Sequence, residues 1–225
     1  MKRLLLLMCI SLVGGSCSPN VGPKPLTPSA LSENRYDCHS PFPHGEWQFV
    51  HAIEGTLPHD MKTSAMGITE ISSREKTVRC VLMTVEGFVL FDGVWDQEIK
   101  VNRAVQPFDS PAFAAGLMND IRSIFFPPKG KLTQTGRQEN GAHVCRYRQE
   151  DKTVVDVITG LNGEWMIHHY KDNRLIRSVH AYPGEKPVEE IKERIPPRIT
   201  LSTDRPVAYT LNFRLIQAEP VKDRD

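Results

Sequence analysis

Apolar and polar residues alternate through most of this chain, and that alternation limits what it can fold into more than any other feature. In "EKTVRCVLMTVE", Val78, Cys80 and Leu82 share one face while Arg79, Val81 and Met83 share the other. Trp47, Phe49, His51 and Ile53 alternate with Gln48, Val50 and Ala52 in the same way. A period of two is the side-chain period of a β-strand, and such runs separated by Gly, Asp and Asn signals mark an antiparallel sheet. The stretch from Ala65 to Ile71, then "GFVLFDG", "EIKVNRA", "AHVCRYRQ", "TVVDVIT", "EWMIHHYK", "RLIRSVHAY", "RITLSTD" and "VAYTLNFRLIQAEP" continue the series. This predicts roughly ten strands. The turns stand at Gln149 to Lys152, Gly160 to Gly163, and Asp172-Asn173, whose side chains tolerate the positive φ of a tight hairpin.

One segment breaks the period. "DSPAFAAGLMNDIRSIFFPP" offers Ser110 as N-cap and Pro111 in the first turn, with Phe113, Leu117, Ile121, Ile124 and Phe125 along one stripe. Pro127 and Pro128 then stop the helix. Gly116 weakens it or permits a close approach. "KPVEEIKERIPP" has a helical charge pattern that ends at Pro196 and Pro197, either a second short helix or an insertion.

The N-terminus carries a different message. Lys2 and Arg3 precede an apolar run from Leu4 to Val13, far short of the roughly 20 residues that span a bilayer. Gly14, Gly15 and Ser16 follow, and then Cys17. An ordinary secretory signal is one reading, with Cys17 an incidental thiol. The order "charged, apolar, small, small, Cys" also resembles the lipobox of bacterial lipoproteins, with Gly14 departing from the usual leucine. That resemblance implies a signal peptide over 1–16 and acylation of Cys17, whose chains anchor the protein in membrane lipid. Ser18, where an aspartate would resemble an inner-membrane retention signal, points to the outer membrane and a periplasm-facing domain. Residues 17–36 hold Pro19, Pro23, Pro25 and Pro28 with no apolar period and read as a flexible tether; 37–225 read as a single domain.

Composition removes several functions. The chain has 28 basic and 27 acidic residues, a formal charge of +1, and losing Lys2 and Arg3 with the signal takes it to −1. A near-neutral domain has no electrostatic footprint for nucleic acid. The sequence contains no Gly-x-Ser-x-Gly, His-Glu-x-x-His, phosphate-cradling glycine loop or Cys-x-x-Cys. The Cys38, His39, His44 and Glu46 group matches no standard zinc spacing, and His168 and His169, adjacent on a strand, point to opposite faces. The expectation is therefore no catalytic residue, no metal and no cofactor. Cys38, Cys80 and Cys145 remain after the signal and Cys17; one pair could be bridged, and the sequence leaves the pairing open.

The order of these parts resembles the carriers and receptors that move lipoproteins to the outer membrane, the LolA/LolB-like fold, and an uncharacterised lipoprotein family sharing it. The resemblance rests on "MTVEGFVLFDGVWDQEIKV" from Met83, "LMNDIRSIFFP" from Leu117, and Pro197 to Leu215. It implies a mainly β fold with α, a strongly curved antiparallel sheet in an open half-barrel, covered by one or two helices. It further implies an apolar concave face that binds or hands over a lipid or acylated ligand without catalysis. Phe113, Leu117, Ile121 and Phe125 are then the cavity or lid residues. Two other functions stand beside this one: a structural or assembly lipoprotein with a filled core, whose partner is another envelope protein, and a hydrolase without a readable motif.

Overall fold

The computed structural model describes residues 22–28, 38, 41–184 and 195–221. The expected signal, Cys17, much of the tether, and most of "KPVEEIKERIPP" with its possible second helix lie outside the described residues.

The chain opens with a two-residue strand, β1 (Thr27–Pro28), followed by the long hairpin of β2 (Glu46–Leu57) and β3 (Met61–Ser72). Three shorter strands come next: β4 (Thr77–Met83), β5 (Val89–Asp96) and β6 (Glu98–Ala104). A single α-helix, α1 (Pro111–Phe125), separates them from the second series. That series is β7 (Lys131–Arg137), β8 (His143–Arg148), β9 (Val154–Thr159), β10 (Trp165–Lys171), β11 (Arg174–Tyr182), β12 (Arg198–Thr203) and β13 (Tyr209–Pro220).

All the strands belong to one sheet, in the order β1-β7-β8-β9-β10-β11-β12-β13-β2-β3-β4-β5-β6, with antiparallel pairing throughout. β6 and β1 are its two ends and do not pair with each other, so the sheet stays open. Register shifts at Asp92/Gly93, Leu132/Gln134, His169/Tyr170 and Leu215/Gln217 add local twist, which bends the sheet. The helix follows β6, at one end of the sheet, and precedes β7, next to the other, so the chain carries it across the opening. This is the open half-barrel expected from the resemblance.

The alternation read from the sequence decides which side chains face the helix. Trp47, Phe49 and His51 are buried on β2, and Val78, Cys80 and Leu82 on β4. Asp172 and Asn173 take φ of 50° and 58°, as a tight hairpin requires. β7 is a strand beyond those expected. "KLTQTGR" holds one large apolar residue, Leu132, and its strand is mostly exposed, so its periodicity is weak.

Part of the stretch read as a flexible tether lies on the domain. Thr27 and Pro28 pair with Arg137 and Gly136 of β7, and Leu26 packs against Ala142, Val144 and Ile158. The Lys24 carbonyl accepts a hydrogen bond of 2.9 Å from Arg146. Arg146 also donates to both oxygens of the fully buried Asp156, at 2.7 and 2.8 Å. A bidentate, charge-assisted pair of this kind fixes a guanidinium in one orientation, which makes it a usable docking point for a passing strand.

Candidate functional site

Helix α1 begins where the sequence places it. The Ser110 hydroxyl accepts from the Phe113 N–H at 3.1 Å, and the C-terminal Phe126 N–H donates to the Arg122 carbonyl at 3.0 Å. The buried line runs through Ala114, Met118, Ile121, Ile124 and Phe125, with Phe113 and Leu117 half-buried to one side. The stripe read from bulky residues is thus rotated slightly. Phe113 packs edge-on against Phe91 and Phe108, with ring centroids at 5.8 and 5.1 Å. A Cβ at Gly116 would meet open space, so no close approach depends on that glycine.

The helix fills the concave face along much of its length. Phe125 stacks on Phe49 at 4.8 Å with planes 8° apart, and Phe49 stacks on Trp47 at 5.9 Å. His51 lies between Phe125 and Phe213, and burial pushes its pKa down to about 4, so the imidazole is neutral. A polar contact crosses this interior. Buried Asp120 of α1 is paired with Arg177 of β11 at 3.0 Å and accepts from the Tyr209 hydroxyl of β13 at 2.5 Å. Burial raises the Asp120 pKa and outweighs the opposing effects of Arg177 and Tyr209. Removing either partner would leave a desolvated charge, so the contact fixes the helix in register.

Two clefts open beside the C-terminal half of the helix. The first, about 410 Å³, is apolar. Ile124 and Phe125 form its helix side, Phe49 and Trp165 its sheet side, and Phe42, Ile195 and Ile199 close the remainder. The Cys38–Cys145 disulfide positions one wall. It ties the chain just before Phe42 to the buried inner face of β8, and Phe42 then packs on Trp165 with centroids 6.4 Å apart. The Trp47 indole N–H donates to the His44 carbonyl at 2.7 Å and holds the same segment from the other side.

The second cleft, about 400 Å³, is polar and basic. Asn119, Arg122, Ser123 and Phe126 line it from the helix, Lys129 from the following loop, and Ile167, His169 and Arg177 from β10 and β11. The Arg122 guanidinium lies 3.9 Å from the Trp95 ring centre, and Lys129 approaches the same ring at 5.7 Å.

Of the four helix residues singled out from the sequence, Phe125 lines the apolar cleft and Ile121 is buried in the core. Phe113 and Leu117 are packed against that core. Cys17 lies outside the described residues. The disulfide pairing left open by the sequence is Cys38 with Cys145, and Cys80 is a buried free thiol whose pKa burial pushes up to about 12. His168 and His169 do face opposite ways: His168 meets the Tyr170 hydroxyl at 3.1 Å, while His169 lines the basic cleft. Among the described residues no group of three His, Cys, Asp or Glu side chains could hold a metal ion. The sequence did not point to Phe42, Trp165, Ile195 and Ile199, which are scattered along the chain and meet only in the fold, or to Arg122 and Lys129, which converge only over the Trp95 ring of β5.

No protein-family model matches the chain, and no curated protein matches it in sequence. Among solved structures it is similar to a LolA superfamily protein from Nitrosomonas europaea, with a TM-score of 0.49 and 11% identity, over 82% of this chain and 90% of that one. It is also similar to a protein described as an outer membrane lipoprotein-sorting protein domain from Vibrio parahaemolyticus, with a TM-score of 0.48 and 5% identity, over 80% of this chain and 87% of that one. No described helix is long and apolar enough to cross a membrane.

Proposed function

We propose that this protein is an outer-membrane lipoprotein, anchored through acylated Cys17, that binds an acyl chain or acylated ligand without catalysis. The observation that carries this reading is the apolar cleft at the end of α1. Its volume falls in the range of small-molecule sites, about 300–1,000 Å³. Phe42, Phe49, Phe125, Trp165, Ile195 and Ile199 make up most of its walls, with His44 and Thr159 among the remainder, so the ligand it suits is largely hydrocarbon. Burying hydrocarbon there gains on the order of 0.8 kcal/mol per methylene. Two acyl chains on Cys17 would anchor the protein firmly, whereas one gives only marginal binding.

The packing of α1 favours a second reading. Met118 and Ile124 are almost wholly buried and Phe125 is stacked on Phe49, so the concave face beneath the helix is occupied by the protein itself. An assembly lipoprotein that binds another envelope protein would have such a filled core. One experiment separates the two. Native mass spectrometry of the full chain, purified from membranes, reads both acylation of Cys17 and any second, non-covalent lipid. The carrier reading expects a non-covalent lipid adduct that Ile195→Asp, a charge at the cleft's half-buried mouth, reduces about tenfold while the far-UV spectrum is unchanged. Acylated protein with no adduct, before or after added phospholipid, favours the assembly reading.

A further inference from the structure

The basic cleft is built from charges that the fold leaves uncompensated. Arg122 is half-buried and stacks on Trp95, yet no carboxylate pairs with it among the described residues. Lys129 shares the same ring and likewise has no acidic partner there. Burial lowers the Arg122 pKa; for Lys129 the neighbouring Arg122 is the main cause of a lowered pKa, with Lys76 contributing further. Two cations that repel each other, with no counter-charge beside them among the described residues, form an electrostatic vacancy for an anion.

The rest of the lining supplies directional donors. Asn119 and Gln149 offer neutral amide donors at the cleft wall, the Ser123 hydroxyl donating instead to the Asp120 carbonyl at 2.8 Å, and Arg177 adds a third cation, partly engaged by Asp120. His169 provides an independent sign that something is to be bound. Its buried Nε2 has no hydrogen-bond partner, an arrangement that costs free energy unless a ligand meets it. Burial, with Arg177 and His168, pushes its pKa down to about 4. It is therefore neutral near pH 7, and in the Nε2–H tautomer it holds an unused donor. The helix C-terminus contributes partial negative charge at this end of α1, and the last-turn Arg122 answers it, but that dipole accounts for neither Lys129 nor the orphaned imidazole nitrogen. Ile167, Phe126, Pro127 and Pro128 complete the lining with an apolar flank.

We propose that this cleft, lined by Arg122, Lys129, Arg177 and His169, is a binding site for a phosphate group, distinct from the apolar cleft on the other side of the helix. Arg122 and Lys129 supply the charge, His169 and the Asn119 and Gln149 amides orient the oxygens, and the apolar flank accommodates carbon attached to the phosphate. Two sources present this chemistry: a phospholipid headgroup and free phosphate.

The test is calorimetric titration of the full-length chain in neutral detergent with two probes, inorganic phosphate and micellar dihexanoyl phosphatidylglycerol. Saturable binding of either probe, weakened about tenfold or more by Arg122→Gln with Lys129→Gln, is the expected result. Comparable binding of both identifies the phosphate alone as the ligand; binding of the lipid only identifies a headgroup. His169→Leu should weaken binding several-fold and, by removing an orphaned polar atom, leave the unliganded melting temperature unchanged or higher. Arg122→Lys with Lys129 intact should restore part of the affinity lost in the double variant. The proposal is overturned if neither probe binds at millimolar concentration, or if the double variant binds as tightly as the parent. Ile195→Asp separates the two sites. If it abolishes phosphate binding, there is one site rather than two; if it removes the acyl adduct and leaves phosphate binding intact, each cleft stands by itself.

Discussion

The two clefts flank the same half of one helix and have nearly equal volumes, yet their chemistry is opposite. Ile124 and Phe125 turn toward Phe42, Phe49 and Trp165, and that side is mainly hydrocarbon. Arg122, Ser123 and Asn119 turn the other way, toward His169 and Arg177. The difference follows from the helical period, since residues three and four apart share a face and the residues between them lie on another. A helix with one apolar stripe would bury it and leave the opposite side to solvent. Here the open sheet curls far enough for strands to border both flanks, so the polar flank is walled in as well. An amphipathic helix across an open half-barrel can therefore present two sites of opposite polarity without a second domain.

The disulfide gives the strongest way to break this comparison. It closes a separation of 107 residues, for which chain entropy predicts stabilisation of about 4–5 kcal/mol. It also holds Phe42 against Trp165 on the apolar side only. Replacing Cys38 and Cys145 together by alanine should lower the urea midpoint markedly and remove the acyl adduct. At urea-free conditions where the variant stays folded, phosphate affinity should be within about twofold of the parent, since neither Cys38 nor Cys145 lines the basic cleft. Equal loss at both sites would mean that the clefts are not independent.

Acid sharpens the contrast through two histidines. His51, against Phe125, and His169, in the basic cleft, both have pKa values pushed down to about 4 by burial. A depressed histidine pKa contributes stability above the ordinary value of 6.5 that is lost as pH falls toward 4, because the unfolded chain takes up the proton first. At pH 5 each imidazole should cost roughly 2 kcal/mol relative to neutral pH. His51→Phe should remove about half of that acid dependence in urea titrations. Phosphate should offset the share belonging to His169, since a bound anion stabilises the imidazolium, and should not alter the share belonging to His51. A phosphate effect that persists unchanged in His169→Leu would contradict this assignment.

The fold was far more legible in the sequence than either site. Period-two patterning found most of the strands because each has one buried face, as in Val78, Cys80 and Leu82 of β4. It missed β7, a strand near the open edge with little to bury, and it took Thr27–Pro28 for tether because pairing through backbone groups leaves no side-chain signal. The helix was bounded by Ser110 and Pro127, whose capping and chain-breaking effects are local. Its stripe of Ile121, Ile124 and Phe125 is buried and Phe113 and Leu117 pack against the core, while the deeper Ala114 and Met118 were not marked, because depth is set by how the helix rotates on the sheet. The clefts were invisible for a related reason. Phe42, Trp165 and Ile199 meet through a disulfide and strand register, both long-range, and Arg122 stands out only because no carboxylate among the described residues pairs with it.

Trp95 offers the smallest but most selective probe. Stacking with its ring accounts for the position of Arg122 and gives about 1 kcal/mol at a partly exposed site. If Arg122 is held there only to cover the indole, Trp95→Leu and Arg122→Gln should destabilise the protein by similar amounts, their double variant should cost no more than either, and phosphate should be indifferent to all three. If the ring instead aims the guanidinium into the cleft, Trp95→Leu should weaken phosphate binding about three- to fivefold, by freeing a rotamer that the anion must then order. The acyl adduct on the other flank should be unaffected. The double-mutant cycle read on phosphate affinity, rather than on stability, decides between a cation that packs and a cation that binds.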